Sequence, residues 1–258
     1  MESYRFPNKA TPAGSTPYYS IRFSPRTTRD SLAFLFLWKQ ELESLYSLSD
    51  PGIARIKLQW WTDQVSEKKG TSEHPLASAL AGIYKSSAEA SNAFHLMVDA
   101  NDQLLHSRSF ETIDGYLDFC EKHGGSLARL LQLSSGHDLT GKTTMIGSWI
   151  SHVENIQLLG KRLRENINLI PNDMLRAASL PGDQLLHSKK TTDLLLTFHQ
   201  SVSEKLTYNL PAIRRSKSCL LKLYFLRSKL MKLIEDENMA VINQRISLTP
   251  IRKLWLSL

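Results

Sequence analysis

The chain is poor in cysteine. Of its 258 residues only Cys120 and Cys219 carry thiols, each inside a helical pattern. That spacing excludes a disulfide-stapled scaffold and a cysteine-ligated metal, and makes a reducing compartment the default. Long hydrophobic runs are missing too. The longest, LAFLFLW at Leu32 to Trp38, falls far short of the ~20 residues a membrane-spanning helix needs. The opening MESYRFPNKATPAGSTPYYS has no apolar core of a signal peptide, and its prolines and glycine spoil an amphipathic transit helix. No stretch alternates with period two, which argues against strands. Repeats and low-complexity linkers are absent. The expectation is a cytoplasmic protein, at most peripheral on an inner membrane, on the matrix side of the mitochondrion in a eukaryote.

Acids are scarce at one end. Residues 201–258 hold eleven Lys+Arg against four Asp+Glu, and so carry the whole formal charge of +7. A one-sided basic end suits an anionic partner, and an anionic membrane surface is the expected one. The segment AIRRSKSCLLKLYFLRSKLMKLIEDEN, with Arg214, Arg215 and Lys217 at its start, reads either as a basic amphipathic helix on such a surface or as a core helix with a basic outer face. Its aromatics are not interleaved with its cations as a stacking platform needs, so nucleic acid is not expected.

What is present is helical periodicity. Residues 1–24, with Pro7, Pro12, Gly14 and Pro17, read as an extended N-terminal segment; residues 25–258 read as one helical domain. Ser24-Pro25 marks a helix start, with the helix running from about Thr27 to Ser47. Asp50-Pro51 and His74-Pro75 open two more, Glu89 to Leu105 forms another, and Thr112 caps one that is continuous or kinked at Gly124-Gly125. Thr143 or Thr144 starts a long one in which Ile146, Trp149, Ile150, Val153, Ile156, Gly160 and Leu163 fall at helical spacing. Asp183 to Tyr208 and Pro211 to Ile234 supply the last. The fold class is all-α, a single-domain helical bundle of roughly eight to ten helices.

Few local motifs carry chemistry. GHDLTGKT, Gly136 to Thr143, fits the phosphate-loop pattern G-x-x-x-x-G-K-[ST]. That loop needs a strand before it, and SLARLLQLSS is helical, so a helix–helix turn is expected. Trp60 and Trp61 point about 100° apart on a helix, so one can be core while the other borders a cavity or interface. His123 and His152 have no partner at a usable spacing.

Taken in order, STPYYSIRFSPRTTRDSLAFLFLWKQELES, IARIKLQWWTDQV with HPLASAL, YLDFCEKHGGSLARLL and IGSWISHVENIQLLGKRLRENINLIPNDML resemble the blocks of the squalene/phytoene synthase family. The resemblance implies a bundle of the isoprenoid (trans-prenyl) synthase type with a central cavity. It also implies two acidic motifs whose carboxylates hold magnesium against a prenyl diphosphate, the hard cation preferring oxygen ligands. This chain departs from both. The first motif falls near Glu43, Ser44 and Ser47, and only Glu43 is acidic. The second falls at Leu158 and Arg162; a leucine cannot bind magnesium and an arginine repels it. Glu154 and Glu165, eleven residues apart on one helix, could not share an ion.

IKLQWW, the aspartate-free second segment and TPIRKLWLSL look most like the aspartate-poor branch of the family, which includes respiratory complex I assembly factors related to phytoene synthase. The resemblance therefore implies a non-catalytic member with no metal cofactor, an isoprenoid or lipid ligand, and a protein partner in respiratory-complex assembly. Tyr19, Arg22, Glu43, Trp61, Trp149, Arg162 and Arg164 are the candidate ligand-binding residues, with Arg162 and Arg164 meeting an anion; Arg214, Arg215 and Lys217 are the membrane candidates. Two alternatives stay open. One is an active prenyl transferase with a magnesium site rebuilt from Glu41, Glu43 and Glu154. The other is a ligand-free docking module whose cavity is filled by Trp149 and Trp61.

Overall fold

The computed structural model describes residues 4–48, 50–66, 74–136, 141–206 and 218–258. Among them every regular element is a helix. The expected extended start is interrupted by α1, Thr16–Arg22, because Ser15 accepts from the Tyr18 amide and Pro17 sits in the first turn. The helix α2, Arg26–Ser44, follows and tightens into a 3-10 turn at Leu45–Ser47. Pro25 itself occupies the cap position, and the Ser24 hydroxyl is buried without bonding there. Next come α3, Pro51–Ser66, α4, Pro75–Tyr84, and α5, Ala88–Ser107.

Thr112 caps α6, Ile113–Cys120, as expected. A π turn at Glu121–Gly125 then leads without a break into α7, Ser126–Ser135. The two glycines have a steric reason. A methyl on Gly124 would collide with the Gly147 carbonyl, and one on Gly147 with the Gly124 carbonyl, so the π turn and the long helix α8, Thr143–Arg164, cross backbone to backbone. The G-x-x-x-x-G-K-T stretch joins helix α7 to helix α8, with no strand before it; residues 137–140 lie outside the described ones.

The remaining helices are α9, Asn172–Ala177, α10, Thr191–Leu206, α11, Cys219–Asp236, and α12, Pro250–Ser257. Two that periodicity marks begin later than expected. Helix α10 starts eight residues late, because a 3-10 turn at Gly182–Gln184 intervenes. Helix α11 has its own start at Ser218, whose hydroxyl accepts from the Leu221 amide. The membrane candidates Arg214, Arg215 and Lys217 lie outside the described residues. No described helix is long and apolar enough to cross a membrane.

Helix α8 is the axis of the bundle. It packs on the π turn, α7, α11, α6 and α10, and is buried on nearly every face. A helix in that position is expected to be apolar all round. This one also buries His152, Glu154, Gln157 and Arg162, and those four residues decide the rest.

Candidate functional site

A polar group taken out of water without a partner costs several kcal/mol, and a lone charge more. Each polar side chain of α8 must therefore be answered from another helix. Two clusters result, one ionic and one neutral.

The ionic cluster begins on α2, where Lys39 and Glu43 lie one turn apart and share a face. Lys39 Nζ is 2.6 Å from Glu43 Oε1 and 2.9 Å from Glu154 Oε2 on α8. From α11, Arg227 donates to Glu154 Oε1 at 2.5 Å and to Gln157 Oε1 at 2.9 Å. Gln157 in turn donates to the Ile246 carbonyl at 2.8 Å. The second oxygen of Glu43 is 3.9 Å from Arg162. The chain of alternating charge thus runs Arg162, Glu43, Lys39, Glu154, Arg227 across three helices.

The titration of these groups follows from that alternation. Burial pushes the Glu154 carboxyl up, but Arg227 and Lys39 outweigh it and hold it at about 2. Glu43 is likewise lowered, burial being overcome by Lys39, His123 and Arg162. Burial depresses Lys39, yet Glu154 and Glu43 leave it raised. His123, reaching in from the π turn to 3.4 Å from Glu43, differs. Burial takes it down to about 4, so at pH 7 it is neutral and its approach to Glu43 is not an ion pair.

A cavity of about 420 Å³ opens beside this chain, with Lys39, Glu43, Glu154, Gln157, Leu158 and Arg227 in its wall. Phe36, Leu230 and Leu248 add apolar surface, and Lys9, Arg245 and Lys253 add charge. Its lining holds five cations and two carboxylates. The cations crowd one another: Lys253 is lowered by burial and then by Arg227 and Arg245. Arg227 Nε is buried without a hydrogen-bond partner among the described residues. The site is short of negative charge.

The neutral cluster lies half a turn back along α8. The Tyr116 hydroxyl is 2.9 Å from His152 Nδ1, His152 Nε2 is 3.1 Å from His199 Nδ1, and His199 Nε2 is 3.1 Å from Glu235. The two imidazoles stack at 5.3 Å, with Trp149 and Phe198 against them. Burial holds His152 well below the ordinary histidine range, and the neighbouring His199 lowers it further. The two stacked imidazoles are neutral at pH 7.

The residues singled out from sequence are scattered by the fold. Glu43 and Leu158 line the cavity. Arg162 is buried and ion-paired within the protein, 3.0 Å from Glu165 and 4.6 Å above the Tyr46 ring, and it is not part of the cavity wall. Arg164 is exposed and donates to the Ile242 carbonyl, also away from the cavity. Ser47 donates to Glu165 at 2.6 Å. Tyr19 is core, Arg22 is exposed against Tyr18, and Trp61 packs on His74. Trp149 donates to Ser228. Neither tryptophan fills the cavity. The residues that sequence reasoning missed are Lys39, Arg227, Gln157, Arg245 and Lys253. One signal was available: Lys39 is the single charge in a buried stretch, four residues before the one acidic motif position.

As a donor set for magnesium the arrangement does not fit. Glu43 and Glu154 do converge, but Lys39 lies between them and Arg227 and Arg162 flank them. A dication entering there would meet three fixed positive charges. Glu41 does not join them; it pairs with Lys9. Among the described residues no group of three or more His, Cys, Asp or Glu is placed to hold a metal ion.

Comparison with known proteins agrees with this architecture. The family model described as squalene/phytoene synthase matches residues 10–207. A solved structure titled "Crystal structure of a dehydrosqualene synthase in complex with ligand" superposes with a TM-score of 0.74 at 12% identity, over 94% of this chain and 89% of that one. At that identity the likeness is one of fold. None of the curated proteins matches the chain.

Proposed function

This chain belongs to the squalene/phytoene synthase family, and we propose that it is a member without prenyl-coupling chemistry, one that holds an isoprenoid or related lipid by an anionic head. One observation carries the reading: Lys39 Nζ lies between Glu43 and Glu154, on the face where the resemblance places metal-binding acids. Ionising a diphosphate needs cations that take up its departing charge. An ammonium already held by two carboxylates is spent on its own protein. The surplus cations Arg245, Lys253 and Lys9 instead suit a phosphate, through charge-assisted hydrogen bonds, and Phe36, Leu230 and Leu248 suit its apolar chain.

Incubated with magnesium and farnesyl or geranylgeranyl diphosphate, the protein is expected to give no coupled product. Turnover that disappears in Glu43→Gln would overturn the non-catalytic reading. In EDTA, farnesyl phosphate is expected to raise the melting temperature and farnesol is not; equal effects would overturn the head-group reading. The output of such a protein is an interaction, and respiratory-complex assembly is the form the resemblance suggests. Its deletion should then remove the assembled complex from native gels while isoprenoid pools stay unchanged.

A further inference from the structure

Helix α12 has its polarity reversed. A helix packed on a soluble protein turns apolar residues inward and polar ones to water. In α12 the inward side carries Lys253 and Ser257, both buried, with Leu256 beside them. Lys253 donates to the Gly14 carbonyl, and the Ser257 carbonyl accepts from Lys222. The outward side carries Ile251 at 81% exposure, Trp255 at 60% and Leu258 at 71%. Spacings of four and three residues put these three within about 60° of one another on the helix. They are the most exposed large apolar side chains of the described residues, apart from Ile56 on α3.

Acid is scarce in the segments nearest α12 in the chain and at the N-terminus. Helix α12 packs on α1 and α11. No Asp or Glu occurs in residues 4–29 or 238–258, which hold Arg5, Lys9, Arg22, Arg26, Arg29, Arg245, Arg252 and Lys253. All but Arg29 and Lys253 are exposed, Arg5 and Lys9 being paired with Asp30 and Glu41. An outward apolar stripe with a tryptophan, edged by cations and with no carboxylate near it in sequence, has the chemistry of an interfacial helix on an anionic bilayer. A protein groove would be expected to answer those cations with its own acids, and to bury Arg252 on the stripe's flank; a bilayer requires neither.

We propose that α12 docks this protein on an anionic lipid bilayer, Ile251, Trp255 and Leu258 entering the interface and Arg252 and Arg22 meeting the head groups. Because Lys253 of the same helix lines the cavity, docking sets the cavity mouth beside the lipid. The docking stands independently of what the cavity holds.

The test uses the full chain with phosphatidylcholine vesicles, with and without phosphatidylglycerol. Co-sedimentation is expected only with the anionic vesicles and is expected to weaken with salt. Ile251→Ser with Trp255→Ser should lower partitioning about tenfold or more, and Arg252→Gln about fivefold. Circular dichroism should be unchanged, since the altered side chains are outside the core. In vesicles with brominated acyl chains, tryptophan fluorescence should be quenched, and Trp255→Phe should lose the quenching while it keeps binding. Failure of the native protein to bind anionic vesicles would overturn the proposal. So would equal binding by the double variant, quenching that survives Trp255→Phe, or a dimer in solution that the double variant converts to monomer without any vesicle binding by the native chain.

Discussion

Two buried polar clusters hang on the same helix, and they solve the same problem in opposite ways. Around Glu154 buried charges are met by their opposites: Lys39, Arg227, Glu43 and Arg162 alternate across α2, α8 and α11. Around His152, two residues away, the side chains that pack on the imidazole are Tyr116, Trp149, Phe198 and His199, none of them a permanent ion. Burial drives the imidazole neutral, and Tyr116 and His199 satisfy its nitrogens. An ion that cannot shed its charge, such as the Arg227 guanidinium, needs a counter-ion. A histidine can shed its proton and needs only hydrogen bonds. The ionic cluster is the costlier to break and faces the cavity; the neutral one is a packed interior.

The comparison breaks most sharply at Lys39. Lys39→Ala leaves Glu43 and half of Glu154 without their cation, and removing one partner of a buried pair costs about 3–5 kcal/mol. Urea unfolding measures it. The same variant sharpens the reading of the site. With Lys39 gone the two carboxylates are free to take a dication, so magnesium is expected to stabilise the variant by about 1–2 kcal/mol at ten times its dissociation constant and to leave the native protein unchanged. If both respond alike, Lys39 is not standing where a cation would.

Acid separates the clusters next. His123 and His152 have folded pKa values below the ordinary 6.5, so the folded protein resists protons that the unfolded chain accepts. Their stabilisation is complete above pH 6.5 and falls below it, by about 1.4 kcal/mol per pH unit for each histidine. For His123 the loss levels off near pH 4. Glu154, held at about 2 against an ordinary 4.5, contributes stability present above pH 4.5 and lost as pH falls toward 2. Urea titrations at pH 7, 6 and 5 should therefore show a loss of about 3–4 kcal/mol, most of it above the range where carboxylates titrate. A flat profile across that range would mean the histidines are not buried neutral.

Smaller effects test the neutral cluster itself. Tyr116→Phe keeps the ring edge-on to Phe198 and removes the hydroxyl that meets His152, for an expected loss of about 1–2 kcal/mol. The floor is set by an exposed pair: Lys205→Ala breaks the contact with Asp114 and is expected to change stability by less than about 0.5 kcal/mol. If Lys205→Ala cost as much as Lys39→Ala, burial would not be what distinguishes the two.

Local patterns in the chain were enough for much of this. The cap at Thr112, proline starts at Pro51 and Pro75, and the 3.6-residue stripe of Ile146 to Leu163 mark helices where they occur. Such signals span only a few residues, so one stretch of sequence contains them. The misses follow from the same limit. Helix α1 is hidden behind prolines that serve as its starting turn. Helix α12 is only eight residues long, too short for periodicity to mark it.

The sequence by itself determined that this is an all-α chain whose second motif face offers Leu158 and Arg162 where carboxylates would have to be. A missing functional group is visible without any fold. Only the tertiary structure decided what replaced them. Lys39 and Glu154 are 115 residues apart in the chain, and Arg227 is 73 further on. Periodicity constrains which face a residue takes on its own helix, not which distant helix meets that face. The packing of α2 and α11 on α8 brought one ammonium between two carboxylates, and the low dielectric around them makes that meeting the defining feature of the site.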